Sequence, residues 1–257
     1  MKSPPPQRQI RFGVPERFAR SHHVPRHQHA EAYATLVLGG SYEQLAYAGR
    51  LRLVSGDIVL QPTFDCHSDC MLSPELEILR LPWRRESGYG GIYRGCRVDL
   101  IRSAARRDLR EAVALLEEDL ASRLPVAAMI TDWTDALAVA LRNPRLQIAA
   151  WADGMQLSRG RVSRGFRSAY GVSPVQFRAE LRARAAWLRL TGTRDPMSNI
   201  AVDLAFSDQA HMTRSVAALT GATPSAWRRT YSLKSESEHT YSPATQTEVP
   251  GSPSTTS

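Results

Sequence analysis

The positions of the apolar residues divide the chain into two parts. Between Tyr33 and Leu81, short apolar runs alternate with polar residues, glycine and proline, which is typical of closely spaced strands. From about residue 98 onwards, apolar residues recur at helical spacing, as in amphipathic helices. The apolar runs of the first part are residues 34–38, 51–54, 58–60 and 76–79. This pattern predicts an α+β multidomain chain with a small β-barrel or sandwich, a helical linker and an all-α second half.

The helical half contains an internal repeat with a period of 50 residues. Residues 157–178 overlay residues 207–228 without a gap. The shared features are a helix N-cap (Ser158, Asp208), an apolar position (Val162, Met212), a hydroxyl before an arginine (Ser163-Arg164, Thr213-Arg214), a glycine (Gly171, Gly221) and an N-cap before a proline (Ser173-Pro174, Thr223-Pro224). Because these residue types start and stop helices, each copy predicts a helix, a glycine stop and a newly capped helix.

A short apolar helix and a turn precede each copy. These helices are predicted at residues 146–153, followed by Gly154, and at residues 197–204, followed by Ala205. The pair of helices reads as a helix-turn-helix, present twice. An unbroken helical period from Pro174 to Leu190 joins the two copies. At about 1.5 Å per residue this helix is about 25 Å long, which can hold two recognition helices roughly one DNA turn apart.

Positive charge is concentrated in the repeat. Residues 145–234 carry 13 Arg and 1 Lys against 5 acidic residues, whereas residues 1–144 carry 19 basic and 17 acidic residues. Nearly all of the net charge of +8 therefore lies in the helical half. A basic domain of this kind favours contact with the phosphates of nucleic acid.

These motifs resemble the AraC/XylS family of bacterial transcription regulators over about residues 128–231. The resemblance is carried by residues 148–158, 164–166 and 171–174, and by their second counterparts at residues 200–209, 213–214 and 221–225. It implies a seven-helix domain that places two recognition helices in successive segments of the major groove. Its base-reading positions fall on Gly160, Ser163 and Arg164, and on Gln209, Ala210, His211, Thr213 and Arg214. We expect base contacts from all of these except Gly160 and Ala210, and phosphate contacts from Arg159, Arg161 and Arg167.

The second unit departs from the family pattern. Ala205 stands where a turn glycine is usual, and Val216 and Ala217 replace a phenylalanine and a basic residue. Alanine at a glycine position of positive φ costs about 1 kcal/mol unless the turn is rebuilt. We therefore expect the second unit to dock on DNA less firmly. In the first unit, Gly160 removes a side chain that relatives often present to the bases.

Histidines in the first half resemble the motifs of cupin barrels. His27 and His29 are followed by residues 56–62, which have the cupin pattern, and then by His67, with Phe64 where a glycine is usual. AraC-type regulators often carry such a barrel as a sensor, so the three histidines are expected to line an effector pocket. In metal-binding cupins three histidines and a carboxylate hold a divalent cation, but here Glu31 is displaced. We favour a metal-free pocket and no cofactor, with a divalent metal on His27, His29 and His67 as the alternative.

The three cysteines predict little chemistry. Cys66 and Cys70 bracket His67, which suggests a thiol sensor, but one C-x₃-C pair is a weak zinc signal. Cysteines in a chain without a secretion signal point to a reducing compartment. We favour buried, unreactive thiols, and Cys96 has no evident partner.

The remaining segments set the domain boundaries. Apolar residues at helical spacing between residues 100 and 120 predict a helix that packs on the barrel and pairs with its copy in a dimer, or else a helix of the intramolecular core. Residues 126–141 predict the first helix of the DNA-binding domain. Residues 1–10 and 232–257 are polar and are expected to be disordered. The predicted units are a sensor barrel (11–97), a linker or dimerisation helix (98–124), a double helix-turn-helix domain (126–231) and a disordered tail (232–257).

Together these patterns favour a sequence-specific transcription regulator rather than an enzyme. We expect its partners to be double-stranded promoter DNA, a small-molecule effector, and also RNA polymerase and a second copy of the chain. No apolar stretch approaches the roughly 20 residues of a membrane span, and the N-terminus lacks the apolar core of a secretion signal, so a soluble, cytoplasmic protein is expected. The alternatives are a metal-dependent cupin enzyme with an appended DNA-binding domain and a constitutive architectural DNA-binding protein.

Overall fold

The structure of the protein is a computed structural model. It describes residues 9–19, 22–83 and 90–239, with side chains as far as residue 231. Among these residues no helix combines the length and the apolar character that a membrane crossing demands.

Two antiparallel sheets form the first half. The strands are β1 (Glu16–Ala19), β2 (His23–His27), β3 (Tyr33–Gly39), β4 (Ser41–Ala46), β5 (Gly49–Val54), β6 (Ile58–Gln61), β7 (His67–Met71), β8 (Glu75–Pro82) and β9 (Ile92–Tyr93). One sheet has the order β1-β8-β3-β6-β9 and the other the order β2-β7-β4-β5. The sheets enclose an apolar core that includes Val37, Leu53, Val59, Met71 and Ile78. The architecture is a sandwich, the second of the two predicted forms: within the described strands the two sheets are not joined into a closed barrel.

Two helices cover the five-stranded sheet. They are α1 (Val98–Ala105) and α2 (Leu109–Ala121), separated where Asp108 caps the second helix through the N–H of Arg110. Their buried residues Ile101, Ala104 and Leu116 share a core with strand residues of that sheet. The apolar face that a dimer would have used is therefore buried within the chain, which favours the intramolecular alternative.

The helix predicted at residues 126–141 begins later than expected. The N–H of Val126 bonds to the carbonyl of Ile92 (2.7 Å), and that of Met129 bonds to the carbonyl of Arg50 (2.9 Å), so this segment pairs with the strands. The helix α3 (Trp133–Ala140) starts after Asp132, whose carboxylate accepts from the N–H groups of residues 134 and 135. Strand pairing and this cap together override the helical spacing of the apolar residues upstream.

The described part of the second half has the seven helices that the family resemblance implies. After α3 come α4 (Ile148–Gly154), α5 (Arg159–Tyr170), α6 (Pro174–Gly192), α7 (Met197–Asp203), α8 (Gln209–Thr220) and α9 (Pro224–His239). The helix predicted between Pro174 and Leu190 is confirmed as α6. The helix α9 continues into the segment predicted to be disordered, because no glycine or proline follows Pro224 before His239. Residues 240–257 and residues 1–8 lie outside the described residues.

The two halves share one hydrophobic core. Tyr47 and Phe64 of the sandwich belong to the same buried cluster as Phe177 and Trp187 of α6. A buried ion pair between Arg26 of β2 and Glu180 of α6, 2.7 Å apart, adds a charged contact. The sandwich and the helical half are therefore packed against each other.

Candidate DNA-binding surface and histidine cavity

The first recognition helix, α5, follows the predicted pattern of caps and exposure. The hydroxyl of Ser158 accepts from the N–H of Arg161, and Gly171 ends the helix with φ +75°. Val162 and Phe166 are buried, whereas Ser163 and Arg164 are exposed. The arginines expected at phosphates, Arg159, Arg161 and Arg167, are exposed as well. One face of α5 thus holds the core, and the rest presents polar and basic side chains to solvent.

The second recognition helix, α8, is built in the same way. Asp208 caps it through the N–H of His211, and Gly221 ends it with φ +79°. Gln209 and Arg214 are exposed. Thr213 and His211 are half-buried, and the His211 ring lies 3.1 Å from the Ser207 hydroxyl and packs edge-on against Phe206. The structure therefore orients the His211 ring before any DNA is bound.

The turns before α5 and α8 differ by one residue. Gln156 (φ +55°) and Ala205 (φ +56°) both adopt the left-handed conformation directly after the C-cap residue of the preceding helix. Two residues separate Gln156 from α5, whereas three separate Ala205 from α8. The two recognition helices thus start 50 residues apart in the chain, whereas the helices before them start 49 residues apart. Ala205 keeps the glycine-like conformation, so the turn is not rebuilt.

Not all arginines of the basic half are available to DNA. Arg178 and Arg182 donate to the carbonyls of Leu146 and Pro144, and Arg184 donates to the carbonyl of Thr63. Arg189 pairs with two aspartates, and Arg228 donates to the carbonyl of Asp195. Charge counting therefore overestimates the basic surface, because several arginines hold helices together.

Gly160 lies beside the side chain of Arg164. A Cβ atom at this position would lie 3.1 Å from Nη1 of Arg164, whose side chain folds back along α5. The glycine therefore leaves room for the Arg164 guanidinium.

The three predicted histidines meet in the sandwich. His27, His29 and His67 are buried, and a possible ligand atom of each lies within 4.8 Å of those of the others. Strand β2 supplies His27, the segment after it supplies His29, and the first residue of β7 is His67. Sequence analysis and structure therefore agree on which residues come together.

The surroundings of the cluster suit neutral imidazole rings. Nδ1 of His27 lies 2.9 Å from the carbonyl of Pro25, and Nδ1 of His67 lies 3.1 Å from the carbonyl of Asp65. A carbonyl at this distance accepts the Nδ1 proton and leaves Nε2 as an electron-pair donor, as in histidines that bind metals. Burial, with nearby His27, lowers the pKa of His67 well below its ordinary value, so the ring stays neutral. The donor set therefore fits a divalent transition metal.

The histidines line a cavity of about 90 Å³ between the sheets. Its other polar groups include Tyr33, whose hydroxyl lies 3.4 Å from Nε2 of His67, and Asp69, which accepts from Gln44. Glu31, the displaced carboxylate of the sequence pattern, is exposed. Sequence analysis missed Asp69, although its place two residues after His67 on the same strand puts both on one face.

The cysteines are free thiols in different surroundings. Cys66 is buried and Cys70 is exposed, which corrects the expectation that both are buried. Burial raises the pKa of the Cys66 thiol, which therefore remains protonated. Cys96 is half-buried, and burial raises its pKa to about 11.

One comparison with known protein families places its match in the helical half. Residues 151–230 match the family described as a helix-turn-helix domain. The arabinose operon regulatory proteins of Salmonella typhimurium and Escherichia coli are 30% and 29% identical to the chain over 126 residues. The matches cover 46% of this chain, and 45% and 43% of the two relatives. The chain thus spans less than half of the length of the curated relatives that it matches.

A crystal structure of ToxT from Vibrio cholerae with a bound unsaturated fatty acid covers 83% of this chain and 93% of its own, at 10% identity and a TM-score of 0.36. The family match and the arabinose regulators confirm the resemblance to the AraC/XylS family. The second half contains two helix-turn-helix units, and the chain is similar to the arabinose regulators over part of its length. The resemblance of the first half to cupins stays a prediction.

Proposed function

We propose that the protein is a sequence-specific DNA-binding transcription regulator of the cytoplasm. The observation that carries the proposal is the pair of capped recognition helices, α5 and α8, each with an exposed arginine at the equivalent position, Arg164 and Arg214. Helix α6 lies between them in the chain and packs against both. Two such helices can enter successive segments of the major groove of one promoter site.

The exposed side chains support a division of roles. Arg164, Arg214 and Gln209 can form paired hydrogen bonds with guanine or adenine edges, and Ser163, His211 and Thr213 can add single contacts. Arg159, Arg161 and Arg167 suit phosphates, which position the domain but carry no sequence information.

The experiment uses the full chain and DNA selected by it from a random pool. We expect hydroxyl-radical footprinting to show two protected segments about one helical turn apart. A matched control is Arg52→Ala, which removes an exposed arginine of the sandwich and should leave the footprint unchanged. One protected segment, or no preference over competitor DNA, would refute the proposal.

We further propose that the cavity between the sheets binds the effector that modulates DNA binding. Support comes from the convergence of three buried histidines on a cavity that also contains Tyr33 and Asp69. A divalent metal would be held by His27, His29 and His67 and would supply a Lewis-acidic centre for an oxygen-bearing ligand. RNA polymerase remains a proposed partner, and so does a second copy of the chain, which was proposed from the apolar spacing of residues 100–120.

Metal analysis of the purified full chain tests the metal at this site. Because the ligand atoms of three buried histidines lie within 4.8 Å of one another, we now expect the metal-bound alternative rather than the metal-free pocket that the sequence favoured. Stoichiometric metal should be lost in His27→Ala and in His67→Ala, and kept in His23→Ala, which changes an exposed histidine of the same strand. Metal-free protein whose effector response is unchanged in the first two variants would refute a role for the histidines.

A further inference from the structure

The walls of the histidine cavity also form the contact between the two halves. Adjacent residues of an extended segment point to opposite sides, so His27 and His29 face the cavity while Gln28, between them, faces the helices. The same alternation holds at β7, where His67 faces the cavity and the Cys66 thiol donates to Oε1 of Gln28, 3.5 Å away. Each segment thus has a histidine side and a helix side.

Phe64 connects this segment to the helical half. Its N–H donates to the carbonyl of His29 (2.9 Å), and its ring lies 5.0 Å from the Trp187 ring of α6 and 5.8 Å from the Trp227 ring of α9. Phe64 has φ +56°, a conformation that is costly for a residue with a side chain. Its fully buried ring therefore holds a strained backbone in place.

Both connections end on the last turn of α8. Nε2 of Gln28 donates to the carbonyl of Leu219 (2.8 Å). Nε1 of Trp227, which packs against Phe64, donates to the hydroxyl of Thr220 (2.7 Å). The segments that carry the histidines therefore also contact the second recognition helix, directly through Gln28 and indirectly through Phe64 and Trp227.

The first unit is attached at a different place. Arg50 of the β4–β5 hairpin donates to Asp135 of α3 (3.0 Å), and the hydroxyl of Tyr170, at the end of α5, donates to the same carboxylate (2.8 Å). None of these three residues lines the cavity. These contacts of the first unit therefore lie away from the cavity, whereas those of α8 involve residues next to its histidines.

We propose that binding of a divalent cation by the three histidines is transmitted through Gln28 and Phe64 to α8, while α5 stays attached to the β4–β5 hairpin. The inference rests on the function proposed for the cavity. Any motion that separates α8 from the sandwich must displace Gln28 and Phe64, and hence the segments that carry the histidines. Ligation by His27, His29 and His67 opposes that motion. The cavity thereby controls the position of one recognition helix relative to the other, which decides whether both fit one DNA site.

Hydrogen exchange of the full chain, with Co²⁺ alone as the probe, tests this inference. The visible absorption of Co²⁺ reports histidine ligation independently of exchange. If the cation binds only the docked state, exchange in α8 slows by up to about tenfold at a Co²⁺ concentration of about ten times Kd. We expect this slowing in residues 209–221 and not in residues 159–171.

Variants separate transmission from binding. Phe64→Gly and Gln28→Leu should keep the Co²⁺ absorption and lose the slowing in α8, whereas His27→Ala should lose both. His23→Ala, an exposed histidine on the same strand, should behave as the native chain. If Phe64→Gly disturbs the cavity and loses the absorption, Gln28→Leu decides, because that side chain faces away from the cavity.

Four results would overturn the inference: no Co²⁺ binding by the native chain, equal slowing in α5 and α8, no slowing in α8 with Co²⁺ bound, or slowing that survives in Gln28→Leu. The measurement contains no DNA. Failure to find a DNA site would therefore refute the proposed function without bearing on this result.

Discussion

At the scale of single residues, Arg164 and Arg214 occupy equivalent exposed positions on α5 and α8. We expect Arg164→Ala to cost about 1–3 kcal/mol of binding free energy on the selected site and little on random DNA, because a paired contact with one base is lost. Arg214→Ala should cost less, since the second unit departs from the family pattern at Ala205 and Val216. Binding titrations on both DNAs measure these differences.

Arg167→Ala is the matched control for a phosphate contact. It should weaken binding to both DNAs alike and reduce the slope of log K against log salt by roughly one unit. Equal losses on both DNAs for Arg164→Ala would show that this arginine does not read a base.

The backbone of Ala205 supports a second prediction at this scale. A left-handed conformation costs a residue with a Cβ atom about 1 kcal/mol relative to glycine, so Ala205→Gly should raise the free energy of unfolding by about that amount. Ala218→Gly, in the interior of α8, should lower it by a similar amount because glycine weakens helices. Chemical denaturation measures both, and a loss of stability in Ala205→Gly would contradict the argument.

At the scale of elements, the contact between α3 and α5 depends on Gly165. A Cβ atom there would lie 2.5 Å from Cζ2 of Trp133, so Gly165→Ala should lower the free energy of unfolding by about 1–3 kcal/mol. Gly192→Ala is the matched control, because no atom lies within 4 Å of its added Cβ. Combining Gly165→Ala with Trp133→Ala should remove the clash, so the double variant should lose less free energy of unfolding than the sum of the two single variants. If the two losses add, the destabilisation by Gly165→Ala does not come from contact with Trp133.

At the scale of the whole molecule, the ion pair of Arg26 and Glu180 ties the halves together. Both side chains are nearly buried, and Glu180 also accepts from the Tyr47 hydroxyl. Burial lowers the pKa of Arg26, but the charge and hydrogen bond of Glu180, together with nearby Cys66 and Tyr47, more than compensate, so the pKa lies above its ordinary value. Glu180→Ala should therefore leave a buried cation unpaired and cost about 3–5 kcal/mol of the free energy of unfolding.

The double variant Arg26→Met with Glu180→Leu should recover much of that loss, because two apolar side chains need no partner. Calorimetry of the native chain, of Glu180→Ala and of the double variant measures the three free energies of unfolding. A double variant as unstable as Glu180→Ala would show that the loss comes from packing rather than from the unpaired charge.

Local signals in the sequence predicted the features that depend on neighbouring residues. The caps Ser158 and Asp208 and the stops Gly171 and Gly221 are all confirmed, since each acts within one helical turn. The segment at Val126 was predicted wrongly, because its partners Ile92 and Arg50 are distant in the chain. The inward carboxylate was Asp69 rather than Glu31, which its spacing of two residues from His67 indicates once β7 is known to be a strand.

Sequence alone determined the order of the elements, the double helix-turn-helix and the identity of the three histidines, because periodicity, caps and motif spacing are encoded locally. Tertiary structure decided which groups are free to act. It buried Arg184 against the carbonyl of Thr63 while leaving Arg164 exposed, and it placed Phe64 between His29 and α6. These outcomes depend on contacts between residues far apart in the chain, where burial and hydrogen-bond geometry, rather than local propensity, set the energy.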